Sequence, residues 1–243
     1  MNQNNSLALI LAAGQGTRMK SNTPKPLMEV NGHPMIFWLI NDFKKNNIDV
    51  TLIINPSDEA IFKEKINNVN FVFQKNPKGT GHAVIQAKNN FKNYKYIYVF
   101  VGDCPFVGSK NIAMMYEEHI KTHSDLTILS SFFENKKFPY ARIIRDEKDN
   151  IIECIEEIDA DINQKKIKEL FCSHYLFNSD ILENYLNKLI PNSKNQEVYL
   201  TDIINELIKD KKDINSIVVN DWVRLVGLNT KEDIEWIESQ KIN

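Results

Sequence analysis

The sequence predicts an α/β fold: a Rossmann-like, mostly parallel sheet with helices on both faces and a smaller antiparallel subdomain in the second half. Three observations lead to this prediction. Short apolar runs alternate with helical stretches in the first half of the 243-residue chain, as in parallel sheets covered on both faces. After Asp125, strand-like runs follow one another with short links, which indicates antiparallel pairing. No linker rich in Pro, Gly or Ser interrupts the chain, so residues 1–243 are expected to form one domain, with residues 1–5 disordered.

Compact runs rich in Ile, Val and aromatic residues predict four strands in the first half, at Leu7–Ala12, Val50–Ile54, Val69–Gln74 and Tyr96–Val101. Helices are predicted between these strands. Pro34 suits the start of a helix over Met35–Lys45, and Ser57 with two following acidic residues suits a capped helix start. Two more helices are expected, at Gly81–Asn90 and Asn111–Lys121.

The second half has shorter links between its apolar runs. Strands are predicted there at Leu126–Phe133, Ala141–Arg145, Ile151–Ile155 and Phe171–Phe177. A short apolar run at Leu225–Leu228 is interpreted as a further strand. Thr230 with Asp233 then predicts the start of a terminal helix, because a hydroxyl and a carboxylate three residues apart can cap each other's backbone N–H groups.

Composition and charge limit the classes of partner that the sequence predicts. The net charge is −2 and the pI about 6.2, so no overall field attracts nucleic acid or an anionic membrane. No apolar stretch reaches the roughly 20 residues of a membrane span. The three cysteines form no CxxC pair, which suits reduced thiols. No Lys or Arg precedes the apolar run at Leu7–Ala13, unlike a signal peptide. We therefore predict a cytoplasmic protein with no nucleic-acid or membrane partner, and the oligomeric state is not predicted.

Two histidines four residues apart invite a zinc-site interpretation that the sequence does not support. His119 and His123 lie on a predicted helix, but Ile120 stands where a zinc-protease motif needs glutamate. Both side chains are therefore predicted to face solvent.

A glycine-rich turn follows the first predicted strand. Gly14–Arg18 offers backbone N–H groups to an anion, and glycine allows a phosphate to approach closely. Arg18 and Lys25 add a planar and a compact cation. Position 19 is Met19, so the third glycine of a dinucleotide fingerprint is missing, and no Walker loop is present. An ordinary turn with solvated cations is the alternative. The presence of both cations together with the Pro24–Leu27 segment favours a triphosphate site.

Further polar residues follow other predicted strands. Ligands of open α/β sheets bind beyond the carboxyl ends of strands, and four segments occupy such ends: Gly14–Arg18, Gln74–Thr80, Asp103 and Asn229. We therefore expect them to converge on one crevice. Taken singly, Asp103 is more simply a turn residue and Asn229 a helix cap.

Seven ordered segments resemble the sugar-phosphate nucleotidyltransferases, and most closely the uridylyltransferase half of bacterial N-acetylglucosamine-1-phosphate uridylyltransferase. The resemblance begins with LAAGQGTRM and PKPL and runs from Leu7 to Asn229. The other segments are Gln74 with Gly79–Ala83, Val101–Pro105, Tyr140–Ile143, Ile155–Glu156, Tyr199–Ile204 and Gly227–Asn229. No hexapeptide-repeat acetyltransferase half is expected in the chain.

The resemblance implies a transfer in which a sugar phosphate attacks a nucleoside triphosphate and releases pyrophosphate. It assigns catalysis to Arg18, on the leaving phosphates, and to Lys25, and it implies Mg²⁺ held by Asp103 and Asn229. The implied nucleotide-binding residues are Leu11, Ala12, Ala13, Gly14, Gly16, Thr17, Arg18, Lys25, Gln74, Gly79, Thr80, Gly102 and Asp103. Gln74 and the glycine segment after it resemble a uridine site, so UTP is favoured.

The resemblance also implies an acceptor site, formed by Ala141, Glu156, Phe171, Tyr199 and Thr201. Two of these positions depart from the family, which has glycine at position 141 and asparagine at position 171, where it contacts an N-acetyl sugar. N-acetylglucosamine 1-phosphate is thus one acceptor among several. Alternatives are a CTP-dependent cytidylyltransferase for another small phosphorylated acceptor in surface-polysaccharide synthesis, a guanylyltransferase of the molybdenum-cofactor type, and a nucleotide-binding regulator without turnover.

Overall fold

A nine-stranded mixed sheet organises the computed structural model, which describes residues 5–14, 16, 19, 21, 23–133 and 138–242. The strands are β1 (Ser6–Leu11), β2 (Glu29–Val30), β3 (His33–Pro34), β4 (Asp49–Ile54), β5 (Asn70–Phe73), β6 (Tyr96–Val101), β7 (Leu126–Phe132), β8 (Ala141–Arg145), β9 (Ile151–Ile155), β10 (Glu169–Asn178) and β11 (Ile214–Val218). The helices are α1 (Met35–Lys45), α2 (Glu59–Lys65), α3 (Thr80–Gln86), α4 (Ser109–Lys121), α5 (Ser179–Leu186), α6 (Asp202–Lys209) and α7 (Lys231–Ser239).

The strand order confirms the predicted fold class. Across the sheet the strands run β11-β7-β10-β6-β1-β4-β5. Strands β6, β1, β4 and β5 are parallel to one another, as are β7 and β11. Strand β10 is antiparallel to both of its neighbours, β6 and β7. The β8–β9 hairpin extends from the first residues of β10, and β2 with β3 forms a separate small antiparallel sheet.

Two apolar clusters cover the two faces of the sheet. Alternate side chains of β1 point to opposite faces, so Ala8 and Ile10 join one cluster with Leu39 of α1. Leu7 and Leu9 join the other, with Val84 of α3. Both faces of the first strand are thus buried, which explains its continuous apolar sequence.

The structure corrects several predicted element ends. Ser57 does not cap α2, because it lies inside a 3-10 turn over Pro56–Asp58. Asn55 caps that turn and accepts from the Ser57 N–H, and the N-cap of α2 is Asp58. Helix α3 ends at Gln86, and a separate 3-10 turn follows over Lys88–Asn93. Leu225–Leu228 is not a strand, because it begins in a 3-10 turn over Trp222–Leu225 and no sheet pairing follows.

Polar residues that the sequence assigned to solvent or disorder have defined partners. His119 is buried and lies 2.9 Å from the Thr127 hydroxyl and 3.2 Å from the Asn178 side-chain oxygen, so its prediction as a solvent-facing residue is wrong. Asn5, within the stretch expected to be disordered, accepts from the Lys95 N–H through its carbonyl and side-chain oxygens. No helix in the described ranges is long and apolar enough to span a membrane.

Candidate active site

A cavity of about 470 Å³ lies at the carboxyl ends of β1, β5 and β6. The cavity therefore lies at the edge of the sheet at which the sequence predicts a ligand site. Its lining residues are Leu11, Ala12, Ala13, Gly14, Gly16, Lys25, Pro26, Gln74, Pro77, Gly79, Thr80, Ala83, Val101, Asp103, Glu197 and Tyr199.

The glycine loop lies on one wall of this cavity. Gly16 has a φ of +56°, and a Cβ there would lie 2.7 Å from the Cβ of Lys25. Glycine is required because the backbone is left-handed and approaches Lys25 closely. Two predicted members of this loop, Thr17 and Arg18, lie outside the described residues, so their phosphate-binding roles stay predictions.

Lys25 lies between two oxygen atoms from distant parts of the chain. Its ammonium group forms an ion pair with Asp103, after β6, and donates to the Asn229 Oδ1 over 3.1 Å. The side chains of Lys25 and Asp103 are only 16% and 17% exposed. This partial burial weakens screening by water and salt. Three of the four residues that the resemblance assigned to catalysis and metal binding thus meet at one point, and the fourth, Arg18, lies outside the described residues.

The loop at Gly227–Asn229 is held against Asp103 by hydrogen bonds. The Leu228 N–H donates to the Asp103 carbonyl oxygen over 2.9 Å, and the Asn229 N–H donates to the Asp233 carboxylate over 3.0 Å. Asp233 also completes the predicted capping box of α7 with Thr230. The position of Asn229 is therefore determined by the start of the terminal helix, although Leu225–Leu228 is not a strand.

The donor set at this point suits a small divalent cation. A carboxylate oxygen of Asp103 and the amide oxygen of Asn229 both contact the Lys25 ammonium group, so the two oxygens already face one positive charge. Mg²⁺ prefers such oxygen ligands and takes few from protein, because it retains waters and binds substrate phosphates. Among the described residues no cluster of three or more His, Cys, Asp or Glu side chains could hold a metal ion.

Gln74 directly follows β5 and is another lining residue of the cavity. Its side-chain Nε2 donates to the Gly79 carbonyl oxygen over 3.2 Å and lies 2.7 Å from Nδ1 of His82. Gln74 is only 3% exposed, yet it contributes to the cavity surface. Burial, and to a lesser degree the charge of Lys78, lowers the pKa of His82.

Hydrogen bonds join the loop at Lys78–Gly81 to the segment that carries Tyr199. The Val198 N–H donates to the Lys78 carbonyl oxygen, and the Gly81 N–H donates to the Val198 carbonyl oxygen, each over 2.8 Å. The Leu200 N–H donates to the Thr80 hydroxyl over 3.0 Å. Thr80, predicted to bind nucleotide, therefore also positions the neighbouring Tyr199 at the cavity.

The predicted acceptor residues do not all reach this cavity. Tyr199 lines it, and Glu156 accepts from the Thr201 hydroxyl over 2.6 Å nearby in the fold. Burial raises the pKa of Glu156. Ala141 and Phe171 pair across β8 and β10 and are 3% and 1% exposed, so both belong to the core rather than to the cavity wall.

Comparison with known protein families gives a match over most of the chain. Residues 7–236 match the family model described as nucleotidyl transferase.

The chain belongs to the nucleotidyl transferase family.

Its relatives include the bifunctional protein GlmU of Clostridium tetani, 36% identical over 242 residues, which cover 97% of this chain and 53% of that protein. The bifunctional protein GlmU of Caldicellulosiruptor saccharolyticus is 32% identical over 233 residues, or 94% of this chain and 50% of that protein. The chain thus spans about half the length of the curated relatives it matches.

A solved structure shares the fold. A putative glucose-1-phosphate thymidylyltransferase from Bacillus anthracis, in complex with a sucrose, superposes with a TM-score of 0.76 and covers 98% of this chain and 96% of its own. Its sequence identity is 21%, so the likeness concerns the nucleotidyl transferase fold alone.

Within this nucleotidyl transferase fold, the structure adds residues to the site that the sequence does not predict. Tyr140 accepts from the Gly227 N–H over 2.9 Å, which anchors the loop before Asn229. Burial raises its pKa. Glu197 and Pro26 line the cavity. Glu197 belongs to an irregular segment without a periodic pattern. Tyr140 begins one of the segments that carry the family resemblance, but neither that resemblance nor the sequence pattern gave it a role.

Proposed function

We propose that this protein transfers a nucleotidyl group from a pyrimidine nucleoside triphosphate, with UTP favoured, to a phosphorylated sugar. A phosphate oxygen of the sugar phosphate attacks the α-phosphorus. The bond from this phosphorus to the oxygen that bridges to the β-phosphorus breaks, and pyrophosphate leaves with that oxygen. The observation that carries the proposal is that Lys25 and Asp103 line the cavity beside a glycine loop and that Asn229 contacts the same Lys25 ammonium group.

This set of residues suits a reaction between two anions. Phosphoryl and nucleotidyl transfers need positioning and neutralisation of charge more than acid–base chemistry. Lys25, partly buried and held by Asp103 and Asn229, is preorganised to offset negative charge on the reacting phosphates. Gly14 and Gly16 leave the cavity wall open to the triphosphate. Arg18 is proposed to hold the phosphates that leave.

Asp103 and Asn229 would hold Mg²⁺ in this proposal. When bound, the ion supplies positive charge that reduces the repulsion between the nucleotide and the sugar phosphate. Before it binds, the Lys25 ammonium group keeps the two oxygens directed to one place. These residues therefore prepare the site and limit the rearrangement that substrate binding requires.

The acceptor is proposed to bind beside Tyr199. Tyr199 and the exposed Glu197 supply polar groups on this side of the cavity, and Glu156 with Thr201 forms a hydrogen-bonded pair nearby. Phe171 and Ala141 are buried in the core, so they do not contribute to this side of the cavity. The proposed acceptor is therefore a sugar phosphate, with N-acetylglucosamine 1-phosphate as one candidate.

The proposal is tested by measuring pyrophosphate release from each of the four ribonucleoside triphosphates with a panel of sugar phosphates and Mg²⁺, followed by product mass analysis. We expect turnover with UTP and at least one sugar 1-phosphate. The panel should include glucose 1-phosphate and N-acetylglucosamine 1-phosphate as a matched pair. Tight nucleotide binding without turnover for any pair would instead support a regulator, and exclusive use of GTP would overturn the pyrimidine assignment.

A further inference from the structure

We propose that His82 is a positioning residue that orients the side-chain amide of Gln74, so that Gln74 presents its oxygen to the base. The site then selects a base whose facing edge donates a hydrogen bond, as uracil and thymine do through N3–H. This inference rests on the proposed function, because it assumes that a nucleotide base lies against Gln74.

The hydrogen-bond partners of Gln74 determine which end of its amide is which. A carbonyl oxygen can only accept hydrogen bonds, and the Gly79 carbonyl oxygen lies 3.2 Å from one end of the amide. That end must therefore be the nitrogen, Nε2. A reversed amide would bring two oxygens together. The orientation thus follows from the chemistry of the neighbours and not from the shape of the amide, which is nearly symmetrical.

His82 binds the second hydrogen of the same nitrogen. Its Nδ1 lies 2.7 Å from Nε2, which is shorter than the bond to Gly79 and therefore the stronger constraint. For this contact Nδ1 must be unprotonated. Burial lowers the pKa of His82, and the charge of Lys78 lowers it further, so the neutral form that accepts from Gln74 predominates at neutral pH.

With both hydrogens of Nε2 bound, the amide offers only its oxygen to a ligand. No donor in the described part of the chain forms a hydrogen bond with this oxygen, and Gln74 contributes to the cavity surface. Uracil and thymine carry a hydrogen on N3, whereas N3 of cytosine is an acceptor. Cytosine in the same pose would direct a lone pair at the Gln74 oxygen. A site built around one hydrogen bond rejects a ligand that cannot form it.

Three variants and a comparison of UTP with CTP test this role. His82→Leu removes the acceptor, His82→Asn restores an acceptor on the same side-chain carbon as Nδ1, and Gln86→Ala removes a neighbour that lies 3.4 Å from the other ring nitrogen. Dissociation constants for UTP and CTP with Mg²⁺ are measured for each. We expect His82→Leu to lower the preference for UTP over CTP about tenfold, the scale of one hydrogen bond. His82→Asn should restore the preference, and Gln86→Ala should leave it unchanged.

Steady-state kinetics separates this positioning role from a general loss of structure. In His82→Leu the KM for UTP should rise, while the KM for the sugar phosphate should stay unchanged. A second measurement needs no variant: wild-type protein should bind the triphosphate of 3-methyluridine, which lacks the N3–H, at least tenfold more weakly than UTP.

The outcomes distinguish the two proposals. If wild-type protein turns over UTP but His82→Leu keeps its preference, or if the 3-methyl analogue binds as well as UTP, the role of His82 is wrong and the proposed function stands. If wild-type protein neither binds nor turns over any triphosphate, the proposed function fails, and the inference drawn from it is overturned as well.

Discussion

Lys25 and Asp103 form one ion pair but have different proposed tasks. We predict that Lys25→Ala lowers kcat about 10²-fold, as expected for the loss of one preorganised charge, without raising the Mg²⁺ concentration needed for half-maximal rate. Asp103→Ala removes a proposed Mg²⁺ ligand and should raise that concentration as well as lower kcat. The measurement is a Mg²⁺ titration of the rate at saturating UTP and sugar phosphate.

Lys121→Ala is the matched control for this pair, because Lys121 is a surface lysine whose side chain is 72% exposed. It should leave both kcat and the Mg²⁺ dependence unchanged. An Asp103→Ala variant with the wild-type Mg²⁺ dependence would exclude a metal-binding role for Asp103.

The burial of His174 lowers the stability of the folded protein. It is 0% exposed on β10, and neither ring nitrogen has a hydrogen-bond partner among the described residues. Burial lowers its pKa to about 3. We predict that His174→Leu raises the free energy of unfolding by about 1 kcal/mol at pH 8, because an unpaired buried polar group is removed.

The pH dependence of this stabilisation has a definite sign. The folded protein keeps His174 neutral, while the unfolded chain takes up a proton below its ordinary pKa of about 6.5. Wild-type stability should therefore fall relative to His174→Leu as the pH drops from 7 to 5. Urea unfolding at several pH values measures this difference, and His33→Leu, at an exposed histidine, serves as control. A constant difference across this range would contradict the low pKa.

At the scale of single residues, the sequence predicts the polar residues of the candidate site better than the contacts that support them. Asp103 and Asn229 could be predicted because each follows an apolar run in a recognisable order. The contacts of Tyr140 with Gly227 and of His82 with Gln74 could not be predicted, because only the folded chain creates them. The burial of His119 was likewise unpredictable, because its partners belong to β7 and β10.

The loop between β5 and α3 depends on one glycine. Gly79 has a φ of +95°, and a Cβ there would lie 2.4 Å from the Val198 carbonyl oxygen. We predict that Gly79→Ala lowers the free energy of unfolding by about 2 kcal/mol or more, from backbone strain and this clash, and weakens nucleotide binding. Chemical denaturation and a UTP titration measure the two effects.

Gly14→Ala provides the comparison for stability. A Cβ at Gly14 has no neighbour within 4 Å and its φ is not left-handed, so the free energy of unfolding should change by less than about 1 kcal/mol. Equal destabilisation by the two variants would show that the close contact between Gly79 and Val198 does not determine the loss of stability in Gly79→Ala.

At the scale of elements, the sequence predicts strands with continuous apolar runs to within one or two residues, as for β1, β4 and β6. It does not predict α5, α6 or β11. Strand β11 reads INSIV, with polar residues in its centre, and it acquires its strand geometry by pairing with β7. The place of β10 between β6 and β7 was also unpredictable, because strand order depends on contacts distant in sequence.

The whole molecule should become more stable when its nucleotide binds. A ligand that binds only the folded chain raises the free energy of unfolding by roughly 2.7 kcal/mol at 100 times its Kd. We predict a stabilisation of this size by UTP with Mg²⁺, a smaller one by CTP and none by ATP or GTP at equal concentration. Thermal unfolding measures it. Greater stabilisation by GTP than by UTP would contradict the proposed base preference.

The position of β10 has a consequence for how the chain folds during synthesis. Its residues 169–178 lie between β6 and β7, so β6 keeps an unpaired edge until this late segment leaves the ribosome. Unpaired edges of apolar strands template association between chains, and pairing over a long sequence separation slows folding. If the first four strands of the sheet pair before β10 is synthesised, the nascent chain exposes one inner edge of the sheet, and we expect aggregation to compete with folding until β10 covers that edge.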